Sequence, residues 1–275
     1  MSENPKMKMP EYSMWNDLVK QDIVRAFQPM FKRGWYVDVN TNKITWDEVQ
    51  TVDAAMWIHA RSDRRTNCDF FHSIFKYLGF IPTWCLNCWK VVARPRNLWE
   101  CYQLMLLQHD LVENNDLNKE EYYAKCGPEE RHYVHGNWGG YFYNRTKSDG
   151  FARYKQIRAL VDERISKDMP VIFKRFCTEF EMGTGPSWKY EQPKHAKEIE
   201  TLLEEIVDVP KQVHDAHPEY LKQHNISRWI EWAWDRGDST VLLFTGGKPL
   251  VKPVHTYHKE MTEKDKENLI KLARK

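Results

Sequence analysis

FIPTWCLNCWKVVARP, residues 80–95, couples a short strand to a cysteine pair, and its reading decides the fold class. Pro82 and Pro95 bracket the segment. Between them Trp89-Lys-Val-Val has the aromatic and β-branched character of a strand. Cys85-Leu-Asn-Cys88, just before it, has the spacing at which two thiolates grip one tetrahedral ion from a tight knuckle. A second short strand, Val171-Ile-Phe, follows Pro170. Both stand among longer helical patterns, which predicts an α+β protein: mostly helical, with a small mixed or antiparallel sheet and a cysteine-based knuckle.

Outward from this segment, apolar residues recur at helical spacing over residues 15–31, 47–60, 69–78, 97–111, 149–165 and 218–236. The plainest helix carries Ile199, Leu202, Leu203 and Ile206 at i, i+3, i+4 and i+7, and a charged helix capped by Thr262 closes the chain. Strand character is expected at 35–39, 44–46, 141–143, 240–244 and 250–257. Residues 1–12 are polar and read as a flexible arm, 13–186 as the main α+β domain with the metal site, and 187–275 as a C-terminal helical region packed on it.

Apolar aliphatic residues are thinly spread, with a mean hydropathy of −0.73, so the core must lean on rings: 12 Trp, 13 Tyr and 12 Phe. Lys plus Arg number 41 against 39 Asp plus Glu, which excludes a coat of nucleic acid held by bulk charge but leaves room for a local basic groove. No window approaches ~18 uninterrupted apolar residues, and the N-terminus lacks the apolar core of a secretory signal. The expectation is a cytoplasmic protein with reduced thiols.

Six cysteines in such a chain are metal ligands, buried thiols or redox groups. With no second CxxC, the ligands completing a zinc site with Cys85 and Cys88 must come from separate segments. Cys126 and Cys177, each beside basic residues, are the candidates, with His132 and His135 as alternatives. Cys68 and Cys101 sit in helical stripes and read as small core residues. Free buried thiols and redox or iron–sulfur chemistry remain the alternatives to zinc.

Two charged clusters can carry chemistry. Continuing the strand from Val171 to Glu181 puts Arg175, Cys177, Glu179 and Glu181 on one side and Lys174 on the other. If Cys126 and Cys177 share a metal, Glu129 or Arg131 comes near Glu179, so Glu129, Glu179 and Glu181 are the candidate catalytic carboxylates. The plain alternative is a salt-bridged surface. Trp84, Trp89, Arg94, Arg96, Arg131, Lys174 and Arg175 form a basic and aromatic set suited to single-stranded nucleic acid, or to ordinary cation–π packing. Trp229, Trp232 and Trp234 are candidates for an exposed partner or self-association surface. No P-loop, GxGxxG, HExxH, GxSxG or EF-hand pattern is present.

The runs CLNCWKVV, KCGPEER, GNWGGYFYN and KRFCTEFEMGTGPS resemble proteins of unassigned activity encoded by tailed bacteriophages, over roughly residues 80–187. The resemblance implies a place in a bacterial cytoplasm or a virion and transfers no catalytic residues. Three functions follow as expectations: a zinc-stabilised protein that binds or processes nucleic acid, a metal-assisted enzyme on nucleotides or modified bases, or a structural or interaction protein of a phage particle.

Overall fold

In the computed structural model, residues 31, 35–46, 55–63, 68–114, 123–208, 213–214, 217–250, 262–264 and 267 are described. In chain order the elements are β1 (Trp35–Asp38), β2 (Lys43–Trp46), β3 (Ile58–Asp63), α1 (Cys68–Leu78), α2 (Thr83–Leu86), β4 (Trp89–Ala93), α3 (Leu98–Glu113), β5 (Tyr123–Pro128), β6 (Trp138–Asn144), α4 (Lys147–Arg164), β7 (Val171–Arg175), α5 (Thr178–Thr184), α6 (Ala196–Ile206), β8 (Val213–His214) and α7 (Glu219–Trp234). The chain is α+β. Six strands form one antiparallel sheet in the order β7-β4-β6-β5-β3-β8, and β1 pairs with β2 as a separate hairpin. Among the described residues no helix is long and apolar enough to cross a membrane.

Strand periodicity sorts the side chains of this sheet onto two unlike faces. In register, Cys126 lies beside Gly140, Gly140 beside Ala93, and Ala93 beside Val171. Cys126, Ala93 and Val171, with Ile58, Val91, Ala124 and Phe142, share one buried cluster with Leu104 of α3, Ile157 of α4 and Trp229 of α7. Close approach of α3 requires Gly140, where a Cβ would stand 2.2 Å from a methyl of Leu104. Helices α3 and α4 start on side-chain caps: Asn97 accepts from the Glu100 amide and Thr146 from that of Asp149.

The opposite face carries Lys90, Tyr141, Tyr143 and Lys174, with Phe71, Phe75 and Phe180 of α1 and α5 clustered beside it. α6 joins Trp35, Ile44, Phe70 and Ile74 in a further apolar cluster. Residues from 187 onward therefore contribute to all three clusters, and β8 extends the sheet edge.

Several elements differ from the sequence expectation. Residues 58–60, expected at the end of a helix, open β3, because pairing Ile58 with Cys126 lays Ile58 and Ala60 into the core. Residues 47–54 lie outside the described residues. Residues 240–244 are not a strand: 240–243 lie in a 3-10 turn, Ser239–Leu243, and Phe244 is its C-cap. Its N-cap Asp238 takes the Thr240 amide and hydroxyl on Oδ1 and the Leu98 amide on Oδ2. Strand β7 ends at Arg175, and the chain enters α5 instead of continuing extended to Glu181. The surface expected from Trp229, Trp232 and Trp234 is not exposed: Trp229 is fully buried and the other two pack against its cluster. The expected arm at 1–12, all but the last residue of the helix at 15–31, and all but the first residue of the strand at 250–257 lie outside the described residues.

Candidate functional site

The end of β7 builds the site. Phe176 is fully buried against Phe180 and Tyr190, and its amide donates to the Cys88 carbonyl at 2.8 Å. Its φ of +38° lies in the left-handed region, a costly conformation for a bulky residue. This reversal stops the strand alternation and delivers Cys177, the N-cap of α5, to the face that carries Lys90.

Lys90 stands in the middle of the sheet, only 5 % exposed, and its Nζ donates to Cys177 Sγ at 3.0 Å. His72 of α1 lies against the Phe180 ring at 4.7 Å, and one of its ring nitrogens stands within 4.8 Å of the same sulfur. Burial alone pushes the Cys177 thiol up, but Lys90 and then His72 outweigh it and bring the pKa down to about 6. Burial pushes His72 down; its bond to Cys177 and the charges of Cys177 and Glu179 raise it overall. Lys90 is likewise raised, since Cys177, Cys88 and Tyr143 outweigh its desolvation. Cys177 is thus a thiolate at neutral pH. Cys88, whose pKa burial raises, stays a thiol.

Beside the thiolate, Arg131 forks between two carboxylates. Its Nε and Nη2 donate to the two oxygens of Glu129, each at 2.7 Å, and its Nη1 donates to Glu179 Oε1 at 2.8 Å. Tyr141 gives its hydroxyl to Glu129 at 2.8 Å, and Tyr133 gives its own to Glu179 Oε1 at 2.9 Å. Arg94 Nη1 stands 3.8 Å from Glu129. An open pocket of about 410 Å³ is lined by Glu129, Arg131 and Tyr133. Glu181 instead pairs with Lys174 at 2.8 Å.

The Glu179 carboxyl is pushed up by burial, yet its own amide, Arg131 and Tyr133 hold it at about 2. Glu129 is lowered too, with Arg131 and Tyr141 outweighing its burial. A carboxyl depressed on folding stabilises the fold above its unfolded pKa, about 4.3, and that contribution is lost as pH falls through the folded value. Stability should therefore decline between about pH 4.5 and 2. Glu179, with its side chain 26 % exposed, should account for on the order of 1–2 kcal/mol of this after solvent screening. Urea melts across that range should show a shallower decline for Arg131→Met than for the parent chain; identical slopes would refute the assignment.

The four cysteines expected to share a zinc ion are not assembled. Sulfurs of a tetrahedral site stand about 3.8 Å apart. Cys126 is in the Ala93 row, and Lys90 is an odd number of residues from Ala93, so the sheet itself separates Cys126 from Cys177. Cys126 instead lies beside Cys101 inside the helix-covered core, both as free thiols. Cys85 packs with Ile81, Phe176 and Phe180, and Cys88 alone joins Cys177 near Lys90. His132 and His135 are exposed on the pocket loop. What can accept a cation is another set: ligand atoms of His72, Cys177 and Glu179 lie within 4.8 Å of one another. Against a metal there, the Lys90 ammonium already donates to the sulfur, where a dication would meet a like charge.

No protein-family model, curated protein or solved structure matches this chain. The site therefore rests on its own geometry. Glu129, Arg131 and Glu179 do converge, brought together by the Arg131 fork. Of the residues expected to hold nucleic acid, Arg175 lies over the Trp89 ring at 5.5 Å, and Arg94 and Arg131 meet at Glu129. Trp89 stacks on Phe173, Arg175 donates to the Leu86 carbonyl, and Arg145 covers Trp84 at 3.5 Å. Arg96 is paired with Glu100 and Asp168. His72, Lys90, Tyr133 and Tyr141 were not singled out from the sequence. One signal was present: Lys90 interrupts the run WKVVA, and a lysine inside a buried strand requires an anion.

Proposed function

We propose that this chain is an enzyme of covalent catalysis in which Cys177 is the nucleophile. The observation that supports it is the buried Lys90 ammonium 3.0 Å from Cys177 Sγ, with a ring nitrogen of His72 within 4.8 Å of the same atom. A thiolate held by a fixed cation and an imidazole attacks an electrophilic carbon without first losing a proton. His72, beside the sulfur, is placed to give a proton to a leaving group and to take one from water. Lys90 is a positioning residue that holds the sulfur's charge.

Zinc bound by His72, Cys177 and Glu179 is the second reading, favoured by the convergence of their ligand atoms. Single-stranded nucleic acid is less well supported as a ligand, because Arg96, Arg131 and Lys174 are each committed to carboxylates.

Brief treatment of the native chain with iodoacetamide at pH 6.5, followed by peptide mass mapping, tests the proposal. Cys177 is expected to be alkylated at least about tenfold faster than Cys88, whose thiol is un-ionised. Equal rates at the two cysteines would overturn it. Stoichiometric zinc in protein purified without added metal, with Cys177 protected until a chelator is added, would establish the second reading instead.

A further inference from the structure

Among the described residues, two of the free cysteines differ from the rest. Cys85, Cys101 and Cys126 are buried, whereas Cys88 and Cys177 are only half-buried. The same two are tied together through the backbone. The Phe176 amide donates to the Cys88 carbonyl at 2.8 Å, which carries the β4–β7 ladder one pair beyond Trp89 and Arg175. Cys177 is the residue after Phe176. The left-handed backbone of Phe176 turns it to the face of Lys90, whose Nζ donates to its sulfur at 3.0 Å. Cys88 stands two residues before Lys90, so strand alternation puts it on that face as well. The groups acting on its sulfur include Lys90, Cys177 and Lys174.

Bonded partners of an antiparallel ladder have Cα atoms about 5.5 Å apart, inside the range of about 4.4–6.8 Å that a disulfide spans. Cys88 and Cys177 are one residue off such a pair, with both side chains on one face. Cys101 and Cys126 mark the contrast. They too lie side by side, but each is 0 % exposed in the helix-covered core, shut off from any reagent in solvent.

We infer that Cys88 and Cys177 are a redox-active pair, closed into a disulfide by a hydroperoxide and reopened by a thiol reductant. Cys177 attacks the outer peroxide oxygen. An S–O bond forms, the O–O bond breaks, and the other oxygen leaves as hydroxide or alkoxide, which solvent protonates. Cys88 then attacks the sulfenic sulfur. The S–S bond forms, the S–O bond breaks, and the hydroxyl leaves with the Cys88 proton as water. The two sulfurs lose two electrons and the peroxide gains them. Closing the bond draws the Cys177 sulfur off Lys90, which at 5 % exposure loses that acceptor. The oxidised form is therefore the costlier one, and a reductant reopens it. The disulfide silences Cys177 reversibly and shields it from further oxidation. That it thereby stops catalysis rests on Cys177 being the nucleophile; the pairing itself does not.

Hydrogen peroxide in excess on the full chain, with EDTA present, tests the pair. The chain is then unfolded in N-ethylmaleimide and digested without reductant. Mass mapping should show Cys88 joined to Cys177, with Cys101 and Cys126 carrying the maleimide, and dithiothreitol should remove the bond. A bond from Cys177 to another cysteine, Cys177 oxidised with Cys88 left free, or both left as thiols overturns the inference. Iodoacetamide labelling of Cys177 in the native chain should fall at least about tenfold on oxidation, because a disulfide sulfur is no nucleophile, and return in full with dithiothreitol. In Cys88→Ser the same peroxide should carry Cys177 on to the sulfinic acid, which dithiothreitol does not reverse. Full return in that variant also overturns the inference. Slow labelling of Cys177 in the reduced chain removes the nucleophile, while the peptide map still decides the pair. Should Cys88→Ser fail to fold, the map of the parent chain decides alone.

Discussion

Lys90→Met should slow iodoacetamide labelling of Cys177 at pH 7 by about 30-fold, the loss expected when a thiol pKa rises from about 6 to the ordinary value of about 8.5. Methionine keeps the length and apolar stem of the side chain and removes only the charge. The sulfur then has burial pushing its pKa up, with His72 left to oppose it. At pH 7 the thiolate fraction falls from about nine-tenths to about three per cent. The midpoint of the rate against pH should move upward by about two units or more. A slower rate with the midpoint still near 6 would mean that Lys90 acts through packing alone, and the charge assignment would fail. The fold should tolerate the change, since the sulfur can take a proton and leave no buried charge unpaired.

The largest loss of stability is expected from Trp229→Ala. The ring is fully buried, stands edge-on to Trp138 at 5.9 Å and 70°, and gives its Nε1–H to the Met56 carbonyl at 2.6 Å. Truncation opens a cavity against the sheet and strips a buried carbonyl of its donor. Core Trp→Ala changes cost about 3–5 kcal/mol, and the lost bond places this one at the upper end. Urea unfolding followed by far-UV circular dichroism measures it. A change below about 1 kcal/mol would show that α7 does not share the sheet's core. Because Trp138 and Trp229 touch each other, so that either change alone already removes their contact, the double change Trp138→Ala with Trp229→Ala should cost less than the sum of the single changes.

Some of the fold is legible because the period of the side chains is legible. Strands β4 and β7 announce themselves by β-branched and aromatic runs after proline-containing turns, and α6 by its i, i+3, i+4, i+7 stripe. The hairpin of Trp35–Asp38 with Lys43–Trp46 follows from two short strand-like runs around a polar turn. β3 escapes detection because its sequence, IHARSD, alternates weakly and owes its extended form to its neighbour β5. Residues 240–244 mislead because Thr, Val and Leu suit a strand, whereas Asp238 caps a tight turn there.

At the site, periodicity runs out at Phe176. Carrying strand alternation through to Glu181 sets Lys174 apart from Cys177, but the left-handed backbone at Phe176 cancels that parity. Lys174 donates instead to Thr178 and Glu181, and Cys177 turns to Lys90. Cys126 fails as a companion for Cys177 for the same kind of reason. Strand spacing tells which residues of one strand share a face, yet not which strands adjoin, nor which face a loop rejoins.

By itself, then, the sequence determined an aromatic-rich α+β chain, the strands on either side of the site, and the carboxylates and arginine that meet there. The tertiary structure decided that Lys90 and His72 hold the sulfur of Cys177, and that Cys126 lies across the sheet from it. The physical reason is range. Helix and strand periods are set by neighbours a few residues away, whereas the 3.0 Å contact of Lys90 with Cys177 joins residues 87 apart in the chain. Only the packing of β4 against β7, and one strained residue between strand and helix, brings them together.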